Sequence, residues 1–479
     1  LNVESYNWDL LRRFVAAEDT DGQISMDSVG VEDTAEQLNR LIDIGETMAR
    51  KYWVTVTNPP YMSISNGDSM LNEYVRKYYN DNKADLFAVF IERCTNMTQI
   101  NGYQAMITQH QWMFLSSFEC LRKIIKDIEI TNLVHLGARA FEEIGGEVVQ
   151  TATFVFRNAK IDNYRGTYCR LLDASSQTAK EEMFLSGKAR YVAMQKDYEN
   201  IPGNPIAYWI SDKQKEAFGK KKLSTYAKCC KGLDTGNNEL FLRLWQEVDI
   251  HKTTVLNNCG FWVPYNKGGS FRKWYGNNEY VLNWEHDGAA IKSASGSTIR
   301  NSEFYFRDGV TWSKITAYKF SGRFSPSTHL FDAVGLTCFT DGCTDLMYVL
   351  AYFCSNVANH FLSVLNSTVT FTTGSVANLP FAYPEACVPP VSVLAKRNVD
   401  FSRKDWDSYE TSWDFQHHPL IRSVSTVADA FAQWEAECND RFAQLKANEE
   451  ELNRIFIDIY GLQDELTPEV EDKDVTVRK

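Results

Sequence analysis

Residues 51–63, KYWVTVTNPPYMS, decide the class of fold. Residues 52–57 are rich in β-branched and aromatic side chains, a composition typical of a buried strand. Two prolines follow almost at once, and neither can continue a sheet, because proline lacks the backbone N–H and has a fixed φ. The strand therefore ends in a rigid turn that holds the side chain of Asn58, the carbonyl group of Pro59 and the ring of Tyr61.

The segments downstream of this turn alternate between helix and strand patterns. Helices are predicted at 69–81, 84–97 and 118–128, and strands at 102–108, 130–137 and 147–158. Strands and helices in alternation, with short connections, predict an open α/β sheet. Ligands of such sheets bind beyond the carboxyl ends of the strands, which is where residues 58–61 lie. A plain strand-ending turn would have the same position.

Composition excludes several classes of protein. The chain has 479 residues, 44% of them hydrophobic, and its longest uninterrupted apolar run, residues 346–354, is far too short to cross a bilayer. No charged and then apolar leader opens the chain. The eleven cysteines show no paired C-x-x-C spacing, which predicts reduced thiols with no metal site and no disulfide framework. We therefore expect a cytoplasmic protein without a membrane partner.

The net charge of −12 conceals a basic middle region. Residues 220–330 contain 16 Lys and Arg against 9 Asp and Glu, whereas residues 401–479 contain 9 against 18. Charge asymmetry along a chain indicates binding partners better than the total does. The basic region is compatible with nucleic acid, although a solvated surface would show the same balance.

Changes in amino-acid composition along the chain predict four regions. Residues 1–160 carry the α/β pattern, and residues 161–222 look like a mixed connector. Residues 223–390 are dense in aromatic residues, Gly and Asn, which indicates β-structure with long loops, and residues 391–479 form an acidic, helical region.

The turn at residues 58–61 has the groups that methylation of an amino group requires. The amino nitrogen of adenine is a poor nucleophile because its lone pair is delocalised into the ring. Hydrogen-bond acceptors on its two hydrogens, here the Asn58 side-chain oxygen and the Pro59 carbonyl, would release that lone pair. Pro60 fixes the backbone, which is preorganisation rather than acid–base catalysis. Tyr61 would stack on a base that has left the duplex.

Asn58-Pro59-Pro60-Tyr61 after a strand resembles the catalytic motif of amino-methylating DNA methyltransferases. The wider sequence resembles the PglX family of adenine-specific methyltransferases of BREX phage-defence systems. The resemblance covers essentially the whole chain and is carried by KADLFAVFIERC (83–94), GYQAMITQHQWMFLSSFECLRKII (102–125), LVHLGARAFEEIGGEVVQTATFVFRN (133–158), ETSWDFQHHPL (410–420) and the tail at 448–479.

This resemblance implies S-adenosylmethionine as methyl donor, double-stranded DNA as substrate and other BREX proteins as partners. It implies part of a Rossmann-like methyltransferase sheet at 1–160, a β-rich target-recognition domain at 223–390 and an α-helical tail. Phe141 matches the aromatic residue that packs against the flipped base. A buried core phenylalanine is the equally weighted alternative for that position.

The glycine-rich loop that binds the cofactor in such enzymes is not found in this sequence. None of the 26 glycines forms a G-x-G pair, and only 57 residues precede Asn58. The resemblance implies an interior portion of a longer enzyme, so no cofactor-binding residue is assigned. We expect weak or no binding of the methyl donor by this chain alone, and an exposed apolar edge at the strand 52–57.

A basic and aromatic cluster is the predicted DNA contact in the β-rich region. Lys267, Arg272 and Lys273 lie among aromatic residues and glycines, and such cations bind phosphates or guanine edges. A solvated loop is the alternative. His110 and His135, beside apolar strands, are expected to be structural.

Two other functions remain compatible with the residues. The same turn would suit methylation of RNA or of a protein glutamine amide, whose amino group is also planar. Alternatively, the chain is a non-catalytic DNA-recognition or assembly module. The long aromatic and basic region favours a nucleic-acid target over a small peptide.

Overall fold

The computed structural model describes residues 6–18, 31–141, 149–255, 260–366 and 369–479. Residues 142–148, which include the start of the strand predicted at 147–158, lie outside the described residues. The chain divides into two compact units. The first comprises Leu1–Glu199 and Gly203–Trp209, and the second comprises Asn200–Pro202 and Ile210–Lys479.

The first unit is built on one mixed sheet. Its strands are β1 (Tyr52–Thr57), β2 (Thr98–Gln109), β3 (Glu129–Gly137), β4 (Thr151–Arg157), β5 (Gly166–Arg170) and β6 (Arg190–Ala193). Within the described residues these six strands have the order β1-β2-β4-β3-β5-β6. The pairs β1/β2 and β3/β5 are parallel, whereas β4 runs antiparallel to both β2 and β3. This sheet confirms the predicted α/β class.

Helices connect these strands and begin where the sequence offers capping side chains. They are α1 (Trp8–Glu18), α2 (Val31–Ala49), α3 (Ser69–Tyr78), α4 (Leu86–Met97), α5 (Glu119–Ile125) and α6 (Gln177–Ser186). The side chains of Asp68, Asp85 and Ser176 accept backbone N–H groups at the starts of α3, α4 and α6. Phe87 and Ile91 of α4 are fully buried, as their helical spacing predicts.

Strand β1 lies at an edge of the sheet and is largely exposed. Trp53 is 63% exposed, Val54 60% and Val56 72%. The composition of this strand predicts burial, but within the described residues it pairs only with β2. The structure therefore agrees with the expectation of an exposed apolar edge at residues 52–57 and not with the expectation of a buried strand.

The stretch expected to be a connector, residues 161–222, contains regular elements of the first unit. Strand β5 extends the sheet by pairing with β3, and β6 pairs with β5. These pairings were not predicted, because they depend on contacts with β3, which lies well upstream in the chain.

The second unit contains two small sheets. Its strands are β7 (Ala227–Cys230), β8 (Leu242–Leu244), β9 (Trp262–Asn266), β10 (Tyr280–Asn283), β11 (Gly309–Ser313), β12 (Arg323–Ser325), β13 (Leu330–Phe331) and β14 (Gly335–Thr340). In the described part of this unit the sheets have the orders β13-β9-β10-β8 and β12-β11-β14-β7. The region predicted at 223–390 to be β-rich thus contains these strands up to residue 340, but it is helical from residue 346 onwards.

Helices form the rest of the second unit. They are α7 (Asp212–Phe218), α8 (Asn238–Phe241), α9 (Glu285–Ser293), α10 (Leu346–Phe353), α11 (Asn356–Leu365), α12 (Thr373–Ala377), α13 (Val388–Trp406) and α14 (Val427–Tyr460). The long amphipathic helix predicted in the tail is present as α14. It belongs to the same compact unit as the β-structure rather than to a separate region, and its Tyr460 hydroxyl donates to the carbonyl of Pro380 at 2.8 Å.

No helix among the described residues combines the length and the apolar composition that crossing a membrane requires.

Candidate active site

The turn Asn58–Tyr61 lies at the carboxyl end of β1, as predicted. Thr57 pairs with Met106 of β2, and β1, β2 and β3 run in the same direction, so their carboxyl ends share one edge of the sheet. Asn58 is exposed and makes no hydrogen bond within the described residues, whereas Pro59 is buried. The turn thus fixes its backbone through one proline and presents the amide of Asn58 to solvent.

Asp85, the residue before α4, holds this turn in place. Its carboxylate accepts the backbone N–H of Met62 at 3.1 Å and that of Phe87 at 3.3 Å. The N–H of Leu86 in turn donates to the carbonyl of Met62 at 3.0 Å. Burial raises the pKa of Asp85. The sequence signal for this residue, an Asp before an apolar helix, is an ordinary N-cap and does not reveal the contact with the turn.

Tyr61 packs by its ring and leaves its hydroxyl free. The ring meets that of Phe87 edge to face, with centroids 6.4 Å apart and an interplanar angle of 88°. The hydroxyl is buried without a hydrogen-bond partner in the described structure, and burial raises the pKa of Tyr61 to about 12. The phenol is therefore neutral near pH 7, and the position of the ring depends on apolar contact.

Phe141 lies on the loop that follows β3, at the same edge of the sheet as Asn58. It is half-buried, so the structure does not make it a core residue. Strands β1 and β3 are three positions apart in the sheet, which separates their axes by roughly 14 Å.

Lys180 of α6 anchors the backbone just before that loop. It is 5% exposed, and its ammonium group donates to the carbonyls of Leu136 at 2.7 Å, Leu171 at 2.9 Å and Ala174 at 2.9 Å. The three donors of the ammonium group thus each have an acceptor. The sequence does not predict this role, because a lysine in a polar helix carries no signal of burial.

His110 and His135 form a buried pair at the same edge. His110 Nδ1 and His135 Nε2 are 2.7 Å apart, and the Tyr208 hydroxyl lies 3.5 Å from His135 Nδ1. Burial lowers the pKa of His110 to about 4 and that of His135 well below its ordinary value. Both rings are therefore neutral near pH 7, which agrees with the structural role expected for them.

The three cations predicted to contact DNA are engaged inside the second unit. Lys273, 6% exposed, pairs with Glu449 at 2.5 Å. Arg272 pairs with Asp405 at 2.9 Å. Lys267 pairs with Asp332 at 2.6 Å.

The carboxyl partners of these cations are nearly fully buried. Contact with phosphates would take these cations away from their buried carboxylates, of which Asp405 would keep Arg441 at 3.9 Å. The DNA contact of Lys267, Arg272 and Lys273 stays a prediction, and in the described structure each of these cations already has a carboxylate partner within its own unit.

The described glycines of the first unit are widely spaced along the chain. They are Gly45, Gly67, Gly102, Gly137, Gly166, Gly187 and Gly203, and no two of them are close in sequence. A backbone cradle needs closely spaced glycines, and none of these forms one. No residue of the chain is therefore assigned to the cofactor.

Comparisons with known proteins agree with this geometry. Residues 9–141 match the Eco57I restriction-modification methylase family. The chain is 45% identical over 98% of its length to the adenine-specific methyltransferase PglX of Lacticaseibacillus casei (strain Zhang), of which it covers 41%. It is 35% identical over 91% of its length to the adenine-specific methyltransferase BrxX of Escherichia coli O9:H4 (strain HS), of which it covers 36%. The chain thus spans less than half the length of these relatives.

A solved structure shares the fold. The Type IIL restriction-modification enzyme MmeI, determined in complex with DNA, matches with a TM-score of 0.52 and 11% identity, over 87% of this chain and 55% of MmeI. At that identity the similarity concerns the fold alone.

Proposed function

This chain is homologous along nearly its whole length to part of the adenine-specific methyltransferases PglX and BrxX, and from that premise we propose that it carries the methyl-acceptor site of a DNA adenine methyltransferase. The reaction moves a methyl group from S-adenosylmethionine to the exocyclic amino group of adenine in duplex DNA. The biological setting is phage defence of the BREX type, with other BREX proteins as partners.

The presentation of Asn58 carries the proposal. This amide is exposed at the carboxyl edge of the sheet and has no internal hydrogen bond in the described structure, although Pro59 beside it is buried and Asp85 fixes the end of the turn. A polar group held rigidly but left unpaired is preorganised for an external partner.

The acceptors in the turn match the two hydrogens of an amino group. In the proposed complex, the Asn58 side-chain oxygen accepts one hydrogen of the adenine amino group and the Pro59 carbonyl accepts the other. These contacts draw the nitrogen towards a tetrahedral geometry, so its lone pair becomes available for attack. They strengthen as positive charge develops on the nitrogen, which stabilises the transition state rather than the ground state.

Two aromatic rings hold the base in this proposal. Tyr61 stacks on one face of an adenine extruded from the duplex, and Phe141 contacts it from the loop after β3. The T-shaped contact with Phe87 supports the Tyr61 ring from behind. Lys180 and Asp85 fix the two backbone segments that carry these rings.

S-adenosylmethionine, when bound, supplies the electrophilic methyl group. We expect this chain by itself to bind it weakly, because the β1 edge beside Asn58 exposes Trp53, Val54 and Val56 to water and offers a ligand little enclosure. A calorimetric titration of S-adenosylmethionine into the chain should show no measurable heat of binding. A one-to-one isotherm would show that the chain builds a cofactor pocket of its own.

A methyl-transfer assay tests the proposed function. The complete gene product is incubated with radiolabelled S-adenosylmethionine and, separately, duplex DNA, RNA and a glutamine-containing peptide. The expected product is N6-methyladenine in the duplex, identified by mass spectrometry of the nucleosides. Methylation of RNA or peptide with no label in the duplex would contradict the proposal.

A further inference from the structure

We propose that a groove along strand β7 of the second unit binds the phosphate backbone of duplex DNA. This inference rests on the proposed function and identifies a surface for it. The groove has a volume of about 630 Å³, and its lining includes Tyr226, Lys228, Phe304, Arg307, Phe339 and Asp341. Strand β7 lies at the edge of its sheet in the described structure, so the groove follows an edge strand.

Two cations are fixed over one aromatic ring in this groove. Lys228 Nζ lies 4.7 Å from the Phe304 ring centroid, and the guanidinium carbon of Arg307 lies 5.2 Å from the same centroid. The ring is itself held by Phe339, with centroids 5.0 Å apart. Cation–π contact restrains long side chains that would otherwise sample many rotamers. The two charges therefore lie within roughly 10 Å of each other, about one Debye length at 0.1 M salt.

The surrounding sequence makes the groove basic. Residues 219–232 contain five lysines and no carboxylate, and the lysines are Lys220, Lys221, Lys222, Lys228 and Lys231. Nearby carboxylates include Glu303, 3.6 Å from Lys228, and Asp341 in the lining, and Lys220 pairs with Glu216 at 2.9 Å. In the lining itself, two cations, Lys228 and Arg307, stand against one carboxylate, Asp341, and both cations are exposed.

This arrangement is the reverse of the cluster formed by Lys267, Arg272 and Lys273. Those cations pair with buried carboxylates at 2.5 to 2.9 Å, whereas the Lys228–Glu303 pair is longer and solvent-exposed. An exposed pair contributes little and exchanges readily for a phosphate contact. Of the two basic clusters, the β7 groove is the one free to meet a polyanion.

Phe306, which precedes the lining residue Arg307 in the chain, has an unusual backbone conformation. Phe306 has φ of +56°, a region that residues other than glycine rarely adopt, and it is 42% exposed. Its neighbour Tyr305 is buried, and the Tyr305 hydroxyl donates to the Arg300 carbonyl at 3.1 Å. The backbone is thus held so that Phe306 and Arg307 both face solvent. Exposed aromatic and arginine side chains together suit the sugars and phosphates of nucleic acid.

The salt dependence of DNA binding tests the groove. Fluorescence anisotropy of the complete gene product with a labelled duplex, measured from low to moderate salt, gives a log–log slope that reports the number of phosphate contacts. The variant K228A/R307A is expected to reduce the magnitude of that slope by about 2, one unit for each lost contact. The matched control K396A/R397A removes two exposed cations of α13 and should leave the slope unchanged.

The outcomes separate the groove from the proposed function. A wild-type slope in K228A/R307A, or an equal reduction in both double variants, would overturn the groove while leaving DNA methylation intact. Loss of RNA binding with unchanged duplex binding would overturn the choice of ligand. Absence of any duplex binding by the wild-type protein would contradict the groove and the proposed function together. Equal thermal melting of the variants excludes misfolding as the cause of a change.

Discussion

Two segments of the chain, residues 58–61 of the first unit and residues 267–273 of the second, place polar side chains next to aromatic rings. Prolines make the backbone of the first segment rigid, and glycines make that of the second flexible. Their environments are opposite. Asn58 is exposed and unpaired in the described structure, whereas Lys273 is buried against Glu449. The first segment leaves hydrogen-bonding capacity for a ligand, and the second uses it to hold its own unit together.

The contrast shows what distinguishes a candidate site from a structural cluster. A charged group buried in the interior is stable only when it is paired, so burial itself implies a partner within the protein. An exposed group on a rigid backbone has no such requirement. Binding residues of this chain are therefore better sought where rigidity and exposure coincide, as at Asn58 and at Lys228 over the Phe304 ring.

Removing the Lys273 ammonium group should give the largest loss of stability. The variant K273M leaves Glu449 as a buried carboxylate without its cation, although Trp274 Nε1 still donates to it at 2.6 Å. We expect the free energy of unfolding to fall by about 3–5 kcal/mol, measured by urea denaturation. The exposed K396M variant is the control. Unchanged stability combined with weaker DNA binding would instead make Lys273 a DNA contact and remove the contrast.

Lys180 offers a matching test in the first unit, since it too is a buried lysine but is paired with carbonyls. The variant K180M removes the ammonium donor from three carbonyl oxygens, of which that of Leu171 keeps the N–H of Ala174 at 3.4 Å, and we expect a local loss of about 2 kcal/mol. Hydrogen exchange of β3 and of the turn at 171–176 should then accelerate by roughly thirtyfold. The exposed K188M variant should show wild-type exchange. Acceleration confined to α6 would mean that Lys180 does not anchor the loop carrying Phe141.

The buried histidine pair predicts a pH dependence for the first unit. Because the folded-state pKa values of His110 and His135 are lowered, the unfolded chain binds more protons between about pH 4 and 6.5. Stability therefore falls as the pH drops through this window. For His110 alone, whose pKa is about 4, the loss from pH 7 to pH 5 is about 2 kcal/mol.

Urea denaturation at pH 7 and pH 5 checks this dependence. In the H110Q variant, the free energy of unfolding should differ less between the two pH values than in the wild type. In the exposed H417Q variant, that difference should be unchanged. A full wild-type pH dependence in H110Q would show that the pair does not govern it.

The smallest effect is expected at the Tyr61 hydroxyl. Since this group has no partner in the described structure, Y61F should change the methylation rate by less than about threefold, whereas Y61A loses the ring and a stacking contribution of about 1–3 kcal/mol. Steady-state kinetics of the complete gene product distinguish the two variants. A loss in Y61F equal to that in Y61A would assign the function to the hydroxyl.

The sequence predicts the turn at 58–61 because every group that builds it is local. The apolar strand and the two prolines lie within nine consecutive residues, 52–60, so short-range rules are sufficient, whereas the contact of Asp85 with the turn was not predicted. The same rules predict β1 to β4 and the helix α14. They also predict burial of β1, which fails because burial depends on what covers a strand.

Distant partners explain what the sequence did not predict. Arg272 pairs with a carboxylate that is 133 residues away in the sequence, and Lys273 pairs with one that is 176 residues away. Neither pairing can be recognised from the neighbouring sequence. Strand β5 joins the sheet only through β3, and the contact of His110 with His135 likewise depends on the sheet. Residue types at these positions indicate chemistry, but only the fold shows whether that chemistry is already used internally.

The most direct test of the central claim is adenine methylation by the complete gene product carrying N58A. Because Asn58 is exposed and unpaired in the described structure, the variant should keep its melting temperature and its affinity for duplex DNA. Loss of one preorganised acceptor should reduce methyl transfer by about 10²–10³-fold, measured as N6-methyladenine formed per enzyme. Methylation within tenfold of the wild-type rate, with folding and DNA binding intact, would contradict the assignment of Asn58–Tyr61 as the methyl-acceptor site.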